Sequence, residues 1–347
     1  MKILITGNLG YIGPTLVKYL KKNIENTNIV GFDSGFFAHC LTGTEQFPER
    51  YLDTQIFGDT RNISENDLIG FDSVIHLAAV SNDPMGKQFE AVTEDINRVA
   101  TIELAKKCSR SKVKNFVFAS SCSMYGSASN APKTENDETN PLTAYARSKI
   151  GAEEDFKSMD LAEMLVTSLR FATACGMSDR LRLDLVLNDF VACSLLHKEI
   201  TVLSDGSPWR PLIDVEDMSR AIHWASIRES YKDRNFLAVN TGSNKSNYQV
   251  KDLANKVGEI VKGCKISINT DAPPDLRSYK VDFSLFESLA PKYIPKLSLT
   301  DSIERLVEGI EKMNFSDKNF RESNYMRLKM LQSHMKNNLI NKNLEWL

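Results

Sequence analysis

The sequence lacks any C-x-x-C pair or close cluster of Cys and His, because its six cysteines are scattered between positions 40 and 264. The usual spacing of a zinc site or a disulfide framework is therefore absent, and we predict no metal and a reducing, cytoplasmic location. The chain also has little excess charge, with 43 Lys plus Arg against 45 Asp plus Glu. Without a broad basic surface, we predict that nucleic acid is not a partner.

Long hydrophobic runs are absent as well. The first apolar run, 3–5, ends at Thr6-Gly7, and no later run approaches the roughly 18 apolar residues that a membrane span needs. We predict neither export nor membrane attachment. We also find no internal repeat and no low-complexity block. What the 347 residues do have, 42% hydrophobic and 25% charged, is ordinary for a globular protein of more than one domain.

Short apolar runs alternate with amphipathic stretches through the first half of the chain. This alternation predicts an α/β fold with a doubly wound parallel sheet of the Rossmann type, joined to a second, smaller substrate-binding lobe. Segments 11–22 and 96–108 repeat apolar residues every three to four positions, as helices covering a sheet do. The predicted strands are 2–6, 28–32, 73–77, 115–119, 165–169 and 236–240, and a further helix is predicted at 215–226.

We predict three parts in the chain. Residues 1–168 form the dinucleotide-binding domain, with 213–240 interleaved into it. Residues 169–212 and 241–313, where Pro and Gly interrupt the pattern, form the second lobe. Residues 314–347 form an Asn- and Lys-rich helical tail, in which apolar residues recur every three or four positions: Tyr325, Leu328, Leu331, Met335 and Leu339. This apolar stripe packs either on its own catalytic lobe or on a second subunit.

The first predicted strand leads directly into a glycine-rich turn, Gly7-Asn8-Leu9-Gly10-Tyr11-Ile12-Gly13. Glycines allow a tight turn, so that a pyrophosphate can approach the unpaired N–H groups at the start of the next helix. Pro14 suits the first helical turn, and no Gly-Lys-Ser/Thr comes after it that would indicate a P-loop. Three spaced glycines alone are equally typical of a structural turn, so the assignment depends on the residues at the ends of the later strands.

Acidic and small residues stand after those later strands. Asp33 comes twenty residues after Gly13, where a carboxylate can accept hydrogen bonds from a ribose diol and repel a 2′-phosphate, so NAD is predicted over NADP. Asp59 and Thr60 follow a further apolar run, and Asp59 either meets the adenine amino group or serves as a helix N-terminal carboxylate. The small segment Leu77-Ala78-Ala79 suits close approach of a cofactor.

A tyrosine and a lysine four residues apart, Tyr145 and Lys149, share one face of a predicted helix. Tyrosine is a poor base at pH 7, but a nearby ammonium and a positively charged nicotinamide would lower its pKa and make it a proton shuttle. This spacing also occurs by chance on solvated helix faces. The serine cluster beginning at Ser120, directly after a predicted strand, favours the functional interpretation.

Together these motifs resemble the extended short-chain dehydrogenase/reductase family, in its NAD-dependent nucleotide-sugar epimerase and dehydratase branch, of which UDP-glucose 4-epimerases are typical. The resemblance covers roughly residues 1–313. It implies NAD as the cofactor, a nucleotide-diphosphate sugar as the substrate and a homodimer. In that family the residue matching Tyr145 takes the proton of a sugar hydroxyl, the one matching Ser121 hydrogen-bonds the same oxygen, and the one matching Lys149 holds the nicotinamide ribose. The predicted cofactor-binding residues are Gly7, Gly10, Tyr11, Ile12, Gly13, Asp33, Asp59, Thr60, Leu77, Ala78, Ala79, Asn97, Tyr145 and Lys149.

The sequence departs from the family pattern after the catalytic serine. Dehydratases of this branch carry an Asp-Glu pair where this chain has Cys122 and Ser123. Cys122 is either an acid/base for epimerisation or a buried small hydrophobe. Arg210 resembles the arginine that binds the substrate diphosphate, whereas Ala272 stands where a second arginine is frequent. The predicted substrate-binding residues are Ser123, Thr173, Arg180, Arg182, Asn188, Arg210 and Arg277.

Three functions are compatible with these residues. The first is a nucleotide-sugar epimerase that oxidises C4 transiently. The second is a dehydrogenase or ketoreductase that releases the oxidised or reduced sugar and needs the same Ser121, Tyr145 and Lys149. The third is a non-catalytic NAD-binding regulatory protein, because a fold does not determine a function.

Overall fold

The structure is a computed structural model that describes residues 1–43, 45–127, 131–231, 234–272 and 277–347. The predicted second lobe includes residues 273–276, which lie outside the described residues. The strands are β1 (Lys2–Thr6), β2 (Asn28–Asp33), β3 (Thr54–Phe57), β4 (Ser73–His76), β5 (Asn115–Ser121), β6 (Leu165–Phe171), β7 (Thr173–Cys175), β8 (Glu199–Val202), β9 (Trp209–Asp214), β10 (Phe236–Thr241), β11 (Asn247–Gln249) and β12 (Lys265–Ile268). The α-helices are α1 (Gly13–Asn23), α2 (Asp83–Gln88), α3 (Glu90–Glu94), α4 (Ala100–Arg110), α5 (Ala144–Ser158), α6 (Val186–Leu196), α7 (Val215–Ile227), α8 (Val250–Ile260), α9 (Ser284–Leu289), α10 (Leu299–Lys312) and α11 (Arg327–Lys336).

The central sheet has seven parallel strands in the order β10-β6-β5-β4-β1-β2-β3. The chain order reverses between β1 and β4, and in a doubly wound sheet ligands bind at such a reversal, beyond the carboxyl ends of the strands. The predicted doubly wound parallel sheet is confirmed. Strands such as β1, β4 and β6 are apolar because helices cover both faces and bury nearly every side chain, whereas the edge strand β3 is largely exposed.

Helix α1 shows how the sequence positions the glycine turn. Pro14 stands in its first turn, where the missing N–H costs no intrahelical bond, and Leu16, Val17 and Leu20 are buried against the sheet. On the other face of the sheet, the Phe156 ring of α5 lies 5.5 Å from that of Phe118 in β5. These contacts hold α1 and α5, the two helices that border the site, against the strands.

The predicted helix at 96–108 is not regular. Residues Asp95–Val99 form one π-helical turn between α3 and α4. Such a turn shifts the helix register by one residue, and π-turns are frequent at functional sites. It carries the fully buried side chain of Asn97 towards the loop after β4.

A second core lies outside the central sheet. Helices α6, α8 and α10 pack together around buried residues such as Leu187, Leu253 and Leu306. They accompany a three-stranded sheet, β11-β9-β7, and a two-stranded sheet, β12-β8. The boundary predicted after residue 168 falls inside β6, which continues to Phe171.

The tail helix is shorter than the apolar spacing predicts. Helix α11 ends at Lys336, and Asn338 takes a positive φ of 54°, so Tyr325 and Leu339 lie outside the helix. Leu331 is buried with Val80, Met85 and Phe89, which places the stripe on the chain's own catalytic part.

No helix among the described residues is long and apolar enough to cross a membrane.

Candidate active site

A cavity of about 840 Å³ lies along the carboxyl ends of the central strands. It runs from the glycine turn at Gly7, past Ser121 and Tyr145, to Arg210 on β9. The predicted site residues that line it are Gly7, Gly10, Tyr11, Ile12, Asp33, Asp59, Thr60, Leu77, Ala78, Ala79, Ser121, Ser123, Tyr145, Lys149, Thr173, Arg182, Arg210 and Arg277. Gly13, Asn97, Arg180 and Asn188 are not among its lining residues.

The glycine turn is closely packed against the neighbouring strand end. Gly7 has a φ of +76°, and a Cβ there would lie 2.5 Å from the backbone nitrogen of Ala78. A Cβ on Gly13 would lie 1.8 Å from the carbonyl oxygen of Asn8. Gly7 therefore allows the turn to form at the cavity wall. Gly13 acts behind the wall, where it lets α1 pack against the turn.

Asp33 connects the end of β2 to the glycine turn. Its carboxylate oxygens accept hydrogen bonds from the backbone N–H groups of Leu9, at 2.9 Å, and Gly35, at 2.7 Å. Burial raises the pKa of this carboxyl, and the two backbone bonds oppose that rise. The side chain is held at the cavity with its orientation determined by two loops.

Asp59 lines the cavity but is engaged by its neighbour. Its side chain caps a short 3₁₀ turn by accepting from the Arg61 N–H, and the Arg61 guanidinium lies 2.6 Å from its Oδ2. The alternative of a helix N-terminal carboxylate therefore describes its contacts within the protein. Arg61 also reaches Asp95, so it connects the loop after β3 to the π-turn.

Asn97 acts through the loop after β4. Its Oδ1 accepts from the Val80 N–H at 2.8 Å, and its Nδ2 donates to the Val80 carbonyl at 3.0 Å. It also donates to the Ser148 hydroxyl on α5. Its side chain is fully buried behind the wall and positions the segment that ends at Val80, and its contact with the cofactor stays a prediction.

Ser121, Tyr145 and Lys149 come together at the middle of the cavity. Thr143 caps α5 and thereby sets the start of the helix that carries Tyr145 and Lys149 one turn apart. The Ser121 side chain lies near enough to the Tyr145 hydroxyl to lower its pKa, and the Ser121 Oγ accepts a hydrogen bond from the Ser123 N–H at 3.1 Å. The Lys149 Nζ lies 5.7 Å from the centre of the Tyr145 ring. The predicted grouping is present.

The pKa of Tyr145 differs from the expectation, because it is raised where the sequence predicted it to be lowered. Burial raises its pKa to about 12, and the hydrogen bond from Ser121 offsets part of that rise. Burial also lowers the pKa of Lys149 to about 7, against the opposing effect of Glu153. Among protein groups alone, desolvation outweighs the attraction between phenolate and ammonium. Any lowering of the tyrosine pKa must come from a bound positive charge.

A buried ion pair beneath the site was missed by sequence reasoning. Glu153 on α5 lies 2.6 Å from Arg170 on β6 and accepts hydrogen bonds from the Ser120 and Ser168 hydroxyls. The only signal in the sequence is that Glu153 stands four residues after Lys149. The pair ties α5 to two strands, so it holds the helix that positions Tyr145.

Cys122 does not face the cavity. Its side chain is fully buried, its Sγ lies 3.0 Å from the carbonyl oxygen of Arg170, and burial raises its pKa. The small-hydrophobe alternative therefore fits its surroundings. Ser123 differs, because its buried Oγ lines the cavity and has no hydrogen-bond partner among the described residues. An orphaned hydroxyl there can bond a ligand.

The predicted arginines separate into two groups. Arg210 lines the cavity 5.9 Å from the Tyr279 ring, and Arg277 lies 3.3 Å from Asp83. Arg182 also lines it, bonded through two nitrogens to Asp184. Arg180 is buried against Glu49 and does not reach the cavity.

Asn188 is also directed into the protein. Its Oδ1 accepts from the Gly176 N–H and its Nδ2 donates to the Arg182 carbonyl. These bonds use its amide within the fold and support the loop that carries Arg182, and its contact with the substrate stays a prediction.

This site fits a dinucleotide. Gly7, with its positive φ and no room for a Cβ, and the carboxylate of Asp33 stand at one end of the cavity, and the Tyr145 group stands at its middle. The orphaned Ser123 hydroxyl leaves a polar contact for a second ligand beside Tyr145.

Comparison with known proteins agrees with this geometry. Residues 3–237 match the NAD dependent epimerase/dehydratase family. UDP-glucose 4-epimerase of Halalkalibacterium halodurans is 27% identical over 270 residues, which cover 73% of this chain and 78% of that protein. The structure of UDP-glucuronic acid 4-epimerase from Bacillus cereus in complex with NAD has 26% identity and a TM-score of 0.75, covering 90% of this chain and 97% of the other. That of MoeE5 in complex with UDP-glucose and NAD has 25% identity and a TM-score of 0.74, covering 90% and 99%.

The chain therefore belongs to the NAD dependent epimerase/dehydratase family. This confirms the resemblance to extended short-chain dehydrogenases/reductases, the prediction of an enzyme and the prediction of NAD as its cofactor.

Proposed function

We propose that this protein is a nucleotide-sugar 4-epimerase that oxidises and reduces C4 of the sugar within one catalytic cycle. The observation that supports it best is the grouping of Ser121, Tyr145 and Lys149 at the middle of a cavity that begins at the glycine turn. Bound NAD supplies the hydride acceptor and donor for this chemistry.

The protein's own residues move and place the proton. Tyr145 takes the proton of the C4 hydroxyl, and Ser121 holds the same oxygen by a hydrogen bond. Lys149 stands one helical turn from Tyr145, where its ammonium would bond the nicotinamide ribose, and the positive charge of the bound nicotinamide would favour the ionised phenol. The Ser123 hydroxyl, which has no partner among the described residues, supplies a further contact to the sugar. Asp33 and the glycine turn hold the adenosine half of NAD.

The substrate class is indicated by the other end of the cavity. Arg210, Arg277 and Arg182 supply positive charge for a diphosphate, as guanidinium groups do. Relatives act on or bind UDP sugars, namely UDP-glucose and UDP-glucuronic acid in their names. We therefore assign a UDP-hexose or UDP-hexuronic acid as the substrate, bound mainly by residues 169–212 and 241–313, beside NAD held by residues 1–168 and 213–240.

Dehydration is disfavoured by the residues after Ser121. Cys122 is buried with a raised pKa, and Ser123 carries a hydroxyl instead of a carboxylate. Removal of water from the sugar needs an acid and a base in addition to Tyr145, and positions 122 and 123 supply neither.

Product analysis distinguishes the epimerase from a dehydrogenase or ketoreductase. The holoprotein is incubated with UDP-glucose and with UDP-glucuronic acid, while the NADH absorption band is followed and the sugars are separated. An epimerase converts the sugar at C4 with constant absorbance. NADH that accumulates in proportion to an oxidised product would establish the dehydrogenase instead.

Ligand-dependent stability then tests the nucleobase and the non-catalytic alternative. A ligand that binds the folded state stabilises it by RT ln(1 + [L]/Kd), so UDP should raise the unfolding temperature more than ADP, GDP or dTDP. If NAD stabilises the protein but no nucleotide sugar is bound or converted, the regulatory alternative replaces the epimerase.

A further inference from the structure

The C-terminal segment contributes a buried cation to the cavity. Arg327, the first residue of α11, is 1% exposed and lines the cavity beside Met326 and Leu331. Its guanidinium donates to the carbonyl oxygens of Arg180, at 2.8 Å, and Asn324, at 3.2 Å.

Among the residues that the structure describes, Arg327 has no carboxylate partner of the kind that three other cavity-lining arginines have. Arg182 is paired with Asp184, Arg277 with Asp83, and Arg321 with Asp189. Within the described part of the chain, no carboxylate lies within 4.0 Å of Arg327, and Asp184 acts on it only at longer range. A buried charge is costly to desolvate unless an anion approaches it. The surplus positive charge at this wall therefore calls for an anionic ligand.

The position of Arg327 indicates which anion. Arg180, whose carbonyl it bonds, donates its N–H to Ser178 Oγ, which in turn donates to the Tyr11 carbonyl in the glycine turn. On its other side, the guanidinium lies 5.1 Å from the ring of Phe37, four residues after Asp33. Arg327 thus stands between the two segments that face the diphosphate and ribose of a dinucleotide.

The tail is bonded to these same loops, which holds the guanidinium in place. The Trp346 Nε1–H donates to the Ser34 carbonyl at 2.5 Å, and His334 Nε2 lies 2.9 Å from the Phe36 carbonyl oxygen. Arg61 donates to the carbonyls of Asn343 and Leu344. The segment after β2 and the segment after β3 are therefore both connected to the C-terminus.

We propose that Arg327 binds the diphosphate of NAD, so that the C-terminal segment 314–347 completes the dinucleotide site. The proposal rests on NAD occupying this cavity, but it does not require the epimerase reaction. Guanidinium groups bind phosphate oxygens through charge-assisted hydrogen bonds, which are stronger than neutral ones. The C-terminal segment and the glycine turn thereby bind the same ligand.

Binding to the cofactor-free protein tests this without turnover. Calorimetric titration compares NAD, ADP-ribose and adenosine, of which adenosine has no phosphate. Arg327→Met keeps an aliphatic side chain beside Phe37 and removes the guanidinium. It should weaken the binding of NAD and ADP-ribose about 10- to 150-fold and leave the binding of adenosine unchanged. Arg321→Met is the matched control, because Arg321 is also in the tail and lines the cavity but is paired with Asp189. It should bind all three ligands like the wild type.

A second variant guards against misfolding. Arg327→Gln removes the charge and keeps an amide N–H donor on a shorter side chain, so it should show the same selective loss. Unchanged NAD affinity in Arg327→Gln would overturn the proposal, and so would equal losses for ADP-ribose and adenosine, which indicate a disturbed loop. Absence of NAD binding by the wild type would overturn it together with the cofactor assignment. Absence of epimerase activity alone would not affect it.

Discussion

The Lys149 ammonium nitrogen lies 5.7 Å from the centre of the Tyr145 ring, and the two side chains share one face of α5, with Lys149 buried and Tyr145 half-buried at the cavity wall. Because burial opposes the charged form of each, the pair is poised to respond to a ligand that brings further charge.

Replacement of Tyr145 by Phe removes the proposed proton shuttle. Turnover should fall about 100- to 10,000-fold, the range for a positioned acid/base. NAD binding and folding should be unchanged, because phenylalanine keeps the aromatic ring at this position of α5. Steady-state rates and NAD titration check this. Turnover within threefold of the wild type would show that another group carries the proton.

Lys149 should give the stability of the cofactor-free protein a distinct pH dependence. Its pKa is about 7 in the folded protein and 10.5 ordinarily, so between these values the unfolded chain binds more protons. Stability therefore rises with pH across this window, and the penalty of the buried charge is fully present below pH 7. Lys149→Met should raise the free energy of unfolding more at pH 6 than at pH 9, as measured by denaturant titration. An equal gain at both pH values would contradict the lowered pKa.

Asp33 should determine the preference for NAD. Its carboxylate is held at the cavity by the N–H groups of Leu9 and Gly35, where it can bond a ribose diol and repel a 2′-phosphate. NAD should bind more tightly than NADP, and Asp33→Ala should reduce the difference. Asp33→Asn is the control that keeps the shape and removes the charge. Equal affinities of the wild type for the two cofactors would exclude this role.

Arg210→Ala should weaken binding of the nucleotide sugar and leave NAD binding intact. Loss of charge-assisted hydrogen bonds to a diphosphate costs about 1.5 to 3 kcal/mol. Titration with UDP and with NAD measures the two effects separately. An unchanged Kd for UDP would transfer the role to Arg277 or Arg182, which also line the cavity; Arg180 is no longer a candidate.

The family resemblance predicts a homodimer formed by α5 and the helix after Asp95, each packed on its copy. Val99, 51% exposed beside this surface, agrees with such a contact. Truncation at Asn314 should lower the unfolding temperature, because Phe320 and Leu331 are then lost from the core, but should leave the dimer intact. Light scattering of the truncated protein is the measurement. A monomer would show that the tail holds the subunits together.

The structure agrees closely with the sequence wherever local pattern decides. Strand β1 has the predicted bounds, and α7 and β10 differ from the predicted segments by one residue each. Period-two and period-3.6 patterns reflect burial on known faces, so they are readable without a structure. The π-turn at Asp95–Val99 was not predictable, because a one-residue shift leaves almost no trace in an apolar pattern.

The sequence by itself determined the doubly wound fold, the glycine turn and the spacing of Tyr145 and Lys149, since each depends on residues close together in the chain. The tertiary structure decided which polar residues face the cavity. It directed the side chains of Arg180 and Asn188 into the protein. It brought Arg327, which is far along the chain from the glycine turn, to the cavity wall. The physical reason is that burial and ion pairing depend on neighbours brought together by folding, and no local pattern records which neighbours those are.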